Sequence, residues 1–176
     1  MMTLEEIAKS NIDKDFAREV LLQAEKRLAD LIDAKKAIDT KATALFAAYV
    51  TLSTATFGIG STLLRNVIYS DGAWPFFVAG SFFALGALVF VWAIRPGQFG
   101  YLGATPRMWL TEDWSATGGA DLAHMLAYTA AYYQERIDMS DASNAARYKL
   151  FTLGMAIGLA GAAAFAAALW FAARQV

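Results

Sequence analysis

Three long stretches without a charged residue constrain this chain more than any other feature. They cover residues 42–64, 72–94 and 150–173, and they contain no Asp, Glu, Lys, Arg or His over 23, 23 and 24 residues. A helix needs roughly 20 apolar residues to cross the hydrocarbon core of a bilayer. Each stretch is therefore long enough to span a membrane. We predict an all-α integral membrane protein with three transmembrane helices and a helical cytoplasmic stalk.

Composition supports the membrane interpretation and excludes several other classes. The chain is 57% hydrophobic and 18% charged, whereas soluble domains carry about 25% charged residues. A very apolar soluble bundle would need charged faces on these same helices, which the three stretches lack. The absence of cysteine excludes disulfides and Cys-based zinc sites. A net charge of −1 disfavours nucleic-acid binding by bulk electrostatics, so no nucleic-acid partner is expected.

The distribution of basic residues predicts the orientation. Lys and Arg favour the cytoplasmic flanks of membrane helices. Segments 1–41 and 95–149 carry 13 of the 15 basic residues, and the remaining two are Arg65 and Arg174. We therefore predict a cytoplasmic N-terminus and an external C-terminus. The first 40 residues lack a short apolar core with a cleavage site, so no signal peptide is expected.

These considerations divide the chain into seven predicted segments. The aromatic residues agree with the division, because Trp74 and Trp170 fall at outer ends and Trp92 at an inner end, where amphipathic rings prefer the interface. The segments are a cytoplasmic N-terminal helix (1–41), the first transmembrane helix (42–64), an external connection (65–73), the second transmembrane helix (74–94), a cytoplasmic segment (95–149), the third transmembrane helix (150–173) and an external tail (174–176).

A heptad pattern before the first charge-free stretch predicts a long helix that continues into the membrane. With Asp13 as a plausible N-cap, no Gly or Pro interrupts the run before Gly58, so we expect a helix from about Asp13 to Leu64. Its apolar seam needs a partner helix. The seam consists of Ala17, Leu21, Ala24, Leu28, Leu31, Lys35, Ile38, Ala42 and Leu45.

A second cytoplasmic helix is expected from about Ala120, parallel to the first and packed on it. Its broad apolar face comprises Leu122, Met125 or Leu126, Thr129, Tyr132 or Tyr133, Ile137 and Ser140. The segment 97–119 contains several glycines and bulky aromatics, and Thr105-Pro106 predicts a short helix over Pro106–Leu110. We expect one main domain and no cytoplasmic domain with strands.

Small and hydroxylated residues are candidates for close helix packing in the membrane. The first membrane helix is rich in hydroxyls and includes Thr54 and Gly58. The third contains Gly154 and Gly158 in a G-x-x-x-G motif, followed by Gly161. These residues fit packing within one protomer, and they also fit a subunit interface or a water-lined path. The Phe, Val and Leu of the second helix are suited to facing lipid.

Charged residues mark the point where the stem enters the membrane. Asp39 and Lys41 precede the first membrane helix, and an acid and a base two residues apart do not share a helix face. We expect Lys41 to reach the headgroups and Asp39 to meet Arg147 or Lys149, at the equivalent depth before the third helix. The junction is either a clamp at the membrane boundary or a ligand-sensitive latch.

No catalytic, metal or cofactor site is predicted. His124 is the single histidine and the chain has no cysteine, so a metal site at His124 would lack the usual His and Cys ligands. The adjacent acids Glu112 and Asp113 are better explained as solvated charge. No set of nucleophile, base and orienting residue is present in the pattern.

The junction also carries a resemblance. A helix that ends in Asp39-Thr40-Lys41-Ala42 and continues into a first membrane helix is similar to the Pycsar transmembrane effectors and SLATT-like effectors of bacterial phage defence. Ile137 and the basic-aromatic pair Arg147-Tyr148 are further similarities. The resemblance implies a dormant protein of the bacterial inner membrane that a cyclic nucleotide activates and that then impairs membrane integrity. Segment 97–119 lies outside the resemblance.

Three functional hypotheses follow. The leading one is a non-enzymatic membrane effector that acts as a homo-oligomer in the lipid bilayer. From charge alone, its candidate contacts for an anionic nucleotide are Arg107, Arg136 and Arg147. The alternative is a structural or accessory subunit whose stalk docks a larger partner. A small channel or transporter is a third hypothesis, although three helices without intramembrane charge offer little for substrate handling.

Overall fold

The part of the protein that the structure describes is all-α and contains three helices that are long and apolar enough to cross a membrane. A computed structural model describes residues 13–65, 72–95 and 122–174, and no strand occurs among them. The helices are α1 (Lys14–Leu64), α2 (Trp74–Ile94) and α3 (Leu122–Ala173). The predicted fold class is confirmed. The predicted short helix Pro106–Leu110 lies outside the described residues.

Helix α1 begins at the predicted N-cap and continues without a break for 51 residues. The carboxylate of Asp13 accepts a hydrogen bond from the backbone N–H of Asp15 at 3.1 Å, which satisfies one donor of the first turn. The nine positions of the heptad seam are all buried or half-buried, whereas Lys26, Arg27 and Lys36 are exposed. The apolar spacing therefore identifies the face of α1 that packs.

The chain divides into two compact units, and α1 and α3 each contribute to both. The stem unit comprises Met1–Lys35 and Gly97–Asn144. Its core consists of Leu28 and Leu31 of α1 packed with Tyr133 and Ile137 of α3. The buried Asn144 adds a polar tie, because its Nδ2 donates to the backbone oxygen of Leu31 at 2.9 Å. The predicted pairing of the two stem helices is thus observed.

Helix α3 runs for 52 residues through Asp141, Ser143 and Asn144, where its sequence is least favourable to a helix. Ser and Asn lower helix propensity because their side chains compete for backbone hydrogen bonds. Asn144 instead donates to α1, and Ser140 is fully buried. Tertiary packing therefore overrides the local preference.

The membrane unit comprises Lys36–Pro96 and Ala145–Val176, and α2 is its most buried helix. In the most apolar windows, 39% of the residues of α2 are buried, against 17% in each of α1 and α3. Phe76, Phe83 and Phe90 point inward, and Leu85 and Leu88 point outward. The expectation that the Phe, Val and Leu of this helix face lipid is wrong for these three phenylalanines, whereas Leu85 and Leu88 are exposed as expected. The rings of Phe90 and Phe83 lie beside Gly154 and Gly161 of α3, where the absence of a Cβ leaves room for them.

Aromatic rings seated on glycines hold the three membrane helices together. A Cβ on Gly158 would overlap the Tyr49 hydroxyl, and one on Gly86 would lie 2.7 Å from the Tyr49 ring. A Cβ on Gly154 would lie 2.9 Å from the Phe90 ring. Tyr49 thus packs against Gly86 of α2 and Gly158 of α3. Real Cβ contacts do not come this close, so these glycines are required by the close approach.

The hydroxyls of α1 divide between an inner and an outer face. Ser53 is buried and donates to the backbone oxygen of Gly80 on α2 at 3.0 Å. Thr56 is also buried and donates to Leu52 of its own helix. The outer face has a row of exposed small residues at helical spacing. This outer stripe consists of Ala47, Thr51, Thr54, Gly58 and Thr62.

Candidate functional site

A buried ion pair in the membrane unit is centred on Arg147. It lies on α3, three residues before the third charge-free stretch, and its side chain is only 6% exposed. Arginine remains charged in proteins, so a guanidinium at this depth requires acceptors. The neighbouring helices supply them.

We call these contacts the Arg147 clamp. Nη1 of Arg147 donates to the Asp39 carboxylate on α1 at 2.8 Å and to the backbone oxygen of Ala93 at 2.8 Å. Its Nη2 donates to the backbone oxygen of Arg95 at 2.8 Å. One side chain of α3 therefore binds α1 by charge and binds the end of α2 by backbone hydrogen bonds.

The position of Ala93 and Arg95 explains why the clamp forms here. Helix α2 ends at Ile94, and the last carbonyls of a helix have no intrahelical donor. They also carry the partial negative charge of the helix C-terminus, which attracts a cation. Arg147 satisfies these carbonyls from another helix and neutralises the Asp39 carboxylate with the same charge.

The structure places the four junction residues in two different settings. Asp39 and Arg147 form an ion pair, with Asp39 24% exposed. Lys41 and Lys149 are exposed. Of the two partners proposed for Asp39, the structure brings Arg147 to it. The two carbonyl acceptors were missed by sequence reasoning, and their only sequence signal was the helix stop after Ile94.

The three candidate anion contacts are not equivalent. Arg107 lies outside the described residues. Arg136 is half-buried in the stem unit, stacks 4.3 Å from the centre of the Tyr132 ring and donates to the Tyr132 hydroxyl at 2.7 Å. Arg147 already uses three of its N–H groups in the clamp, of about five that a guanidinium has.

The residues proposed for helix packing also separate into two groups. Gly154 and Gly158 contact aromatic rings of α2 and α1 within the protomer, and Gly161 lies beside Phe83. Thr54 is exposed, and Gly58 has open space around it in the described part of the chain. The glycines of α3 pack inside the membrane unit, and the two residues of α1 face outward.

The described residues contain no group of three or more His, Cys, Asp or Glu side chains that could hold a metal ion. His124 is half-buried on α3 and has an interaction partner. Apart from the Arg147–Asp39 ion pair, the polar contacts described above for the membrane unit are hydrogen bonds that join helices or close on their own helix. What this arrangement can do chemically is hold three helices in one packing state.

Comparison with known proteins identifies the domain. A family model described as the Pycsar effector protein domain matches residues 23–174. No curated protein and no solved structure matches the chain. The matched region contains all four junction residues, most of α1 and the whole of α2 and α3.

Proposed function

The chain belongs to the Pycsar effector family, and on that basis we propose that it is a non-enzymatic effector activated by a cyclic nucleotide. Family membership makes it a membrane effector of anti-phage defence. The finer proposal is that activation assembles copies of the chain in the inner membrane and impairs its integrity. The single observation that carries it is the family match across all three helices.

The Arg147 clamp supports a dormant resting state. It fixes α1, α2 and the start of the α3 span through contacts at 2.8 Å. Hydrogen bonds to charged groups are stronger than those between neutral groups, and a low dielectric strengthens them further. In this proposal the clamp is the latch that keeps the membrane helices packed until the signal arrives.

The stem unit supports a sensing role. It offers Arg136 stacked on Tyr132, and a cation beside an aromatic ring suits a ligand with a phosphate and a base. Helices α1 and α3 are each continuous and contribute to both units. We propose that a change in either helix within the stem unit passes along the same backbone into the membrane unit.

The outer stripe of α1 supports assembly of several copies. Its small residues are exposed in the single chain, and Gly58 has open space around it in the described structure. Small residues let membrane helices approach closely. We propose that this stripe is the subunit interface of the active form, with the N-terminus in the cytoplasm.

The decisive experiment follows membrane potential in cells that express the chain. Each common cyclic mononucleotide is raised in turn by co-expression of a cyclase, and a potential-sensitive dye is read out. We expect depolarisation with at least one nucleotide and a normal potential without any. Asp39→Asn, which weakens the clamp, should lower the amount of nucleotide required, and Lys149→Ala should leave it unchanged.

Assembly is tested separately, because the chain has no native cysteine. Thr54→Cys should cross-link into dimers in membranes after activation, and Ile59→Cys, which is exposed but outside the stripe, should not. Cells that keep their potential with every nucleotide would contradict the effector proposal. Co-purification of a stoichiometric second protein, without toxicity, would favour the accessory-subunit hypothesis instead.

A further inference from the structure

A groove of about 630 Å³ opens on the surface of the membrane unit, next to the Arg147 clamp. It is lined by Thr43 and Phe46 of α1 and by Val91, Trp92, Ile94 and Arg95 at the end of α2. Its volume falls in the range of about 300–1,000 Å³ that is typical of small-molecule sites. The proposed function gives this groove no role.

The groove is lined mainly by apolar side chains and by one basic residue. Five of the six lining residues offer carbon or aromatic surface. The Thr43 hydroxyl already donates to the backbone oxygen of Asp39 at 2.8 Å. The charged group is Arg95, an exposed residue whose guanidinium lies 5.9 Å from the Trp92 ring. An occupant must therefore combine a long apolar part with an anionic end.

We infer that this groove binds an acidic phospholipid, with an acyl chain along Phe46, Val91 and Ile94 and the phosphate at Arg95. The groove belongs to helices that cross the bilayer, so lipid is the ligand present at highest concentration. Basic pockets between membrane helices are known to bind anionic headgroups. A cyclic nucleotide fits less well, because Phe46, Val91 and Ile94 offer only carbon surface, whereas the base edges and sugar of a nucleotide need polar partners.

The clamp gives this site a fixed position. The backbone oxygen of Arg95 accepts from Arg147 at 2.8 Å, and Asp39, whose backbone accepts from Thr43, is the ion-pair partner of the same arginine. Both walls of the groove are therefore attached to the clamp. The lipid site does not depend on cyclic-nucleotide activation, and it would remain if that proposal failed.

The test counts lipids bound to the full-length protein. The purified chain is placed in nanodiscs that contain equal amounts of phosphatidylglycerol and phosphatidylcholine with identical acyl chains, then released and weighed by native mass spectrometry. We expect one retained lipid per protomer, with roughly a fivefold preference for phosphatidylglycerol from a single arginine at the interface. Arg95→Gln should abolish the preference.

Two matched controls separate a built site from ordinary lipid contact. Arg174 also stacks on a tryptophan, 4.4 Å from the Trp170 ring, and does not line the groove, so Arg174→Gln should keep the preference. Val91→Phe should fill the groove and lower retention of both lipids. Leu85→Phe, at another exposed position of α2, should not.

Three results would overturn the inference. The first is an unchanged preference in Arg95→Gln, and the second is equal loss of lipid in Val91→Phe and Leu85→Phe, which would indicate ordinary surface lipid. The third is displacement of phosphatidylglycerol by an added cyclic mononucleotide in an Arg95-dependent manner. That result would assign the site to the nucleotide.

Discussion

Arg147 serves two kinds of acceptor with one guanidinium, the Asp39 carboxylate and the last carbonyls of α2. Removing one partner of a buried ion pair leaves the other charge uncompensated, which costs more than the pair contributes in net terms. At this site the loss of Arg147 would also leave the backbone oxygens of Ala93 and Arg95 without this hydrogen-bond donor. Arginine is suited to the task because its planar fork reaches several acceptors at once, which a lysine ammonium does less well.

We predict that Arg147→Gln lowers the free energy of unfolding by about 3 kcal/mol, the lower end of the range for a broken buried pair. For a chain of this size that is a fall in Tm of roughly 6–12 °C. Arg147→Lys should lie between the variant and the wild type. Thermal unfolding of the purified protein in detergent measures the effect.

The exposed Lys149, two residues along α3, provides the control for that prediction. Lys149→Gln removes one positive charge and should leave Tm unchanged. A double variant that combines Asp39→Asn with Arg147→Gln should lose less than the sum of the single variants, because the two residues contact each other. Additive losses would contradict the clamp.

A second residue-scale prediction concerns Asn144. Its Nδ2 donates to Leu31, but its Oδ1 is buried and has no hydrogen-bond partner in the part of the chain that the structure describes. A buried oxygen without a donor is unfavourable by about 1–3 kcal/mol. We therefore expect Asn144→Leu to raise Tm or leave it unchanged, while Asn144→Ala lowers it through the cavity. A large fall in Tm for Asn144→Leu would show that the amide is needed.

Part of the Arg147 clamp was predictable from the sequence. The partner of Asp39 was predictable within two choices, because Arg147 and Lys149 precede a charge-free stretch as Asp39 does. The choice between them was not, since it depends on which face of α3 turns inward. The carbonyl acceptors on α2 were not predictable either, because every residue has a carbonyl and only the fold brings one end of α2 to Arg147.

At the scale of the helices, the membrane unit is built from aromatic rings on glycines. The G-x-x-x-G motif of α3 was identified from sequence, but its partners were not. They are the aromatic rings of Phe90 for Gly154 and of Tyr49 for Gly158. The inward direction of the α2 phenylalanines was also not predictable, since α2 is apolar on every side and its pattern identifies no face.

The contrast between two glycines gives a prediction for the helix packing. Gly158→Ala should lower the free energy of unfolding by about 1–3 kcal/mol, the usual result of overpacking, because its Cβ would overlap Tyr49. Gly58→Ala meets open space in the described structure and should leave stability unchanged or raise it. Denaturation of both variants in the same detergent provides the comparison.

A rescue tests the geometry directly. The nearest atom to the added Cβ is the Tyr49 hydroxyl oxygen, so Tyr49→Phe should recover part of the stability that Gly158→Ala loses. If the double variant is less stable than the sum of both losses predicts, the close approach of Tyr49 to Gly158 is not the reason for the glycine.

At the scale of the whole molecule, the length of the stretches without charged residues predicted the architecture. Three stretches of membrane-spanning length predicted three helices, and the heptad seam predicted which face of α1 packs in the stem unit. The side of the membrane on which each segment lies rests on the positive-inside rule alone. It remains a prediction.

The absence of native cysteine makes that orientation measurable. Single cysteines at the exposed positions Asp30 and Arg65 should react differently with a membrane-impermeant maleimide added to intact cells. We expect Arg65→Cys to be labelled from outside and Asp30→Cys only after the cells are opened. Labelling of Asp30→Cys in intact cells would show that the orientation is opposite to the predicted one, and it would not affect the description of the fold.

The threonines on the exterior of α1 have one further consequence. Thr51, Thr54 and Thr62 each donate their hydroxyl proton to a carbonyl one turn earlier on the same helix. None of these three hydroxyl protons is therefore available to a second subunit. Copies of the chain could meet along this surface and separate again without breaking a hydrogen bond. In the proposed assembly, the active form would then separate into single chains when the activating signal is removed.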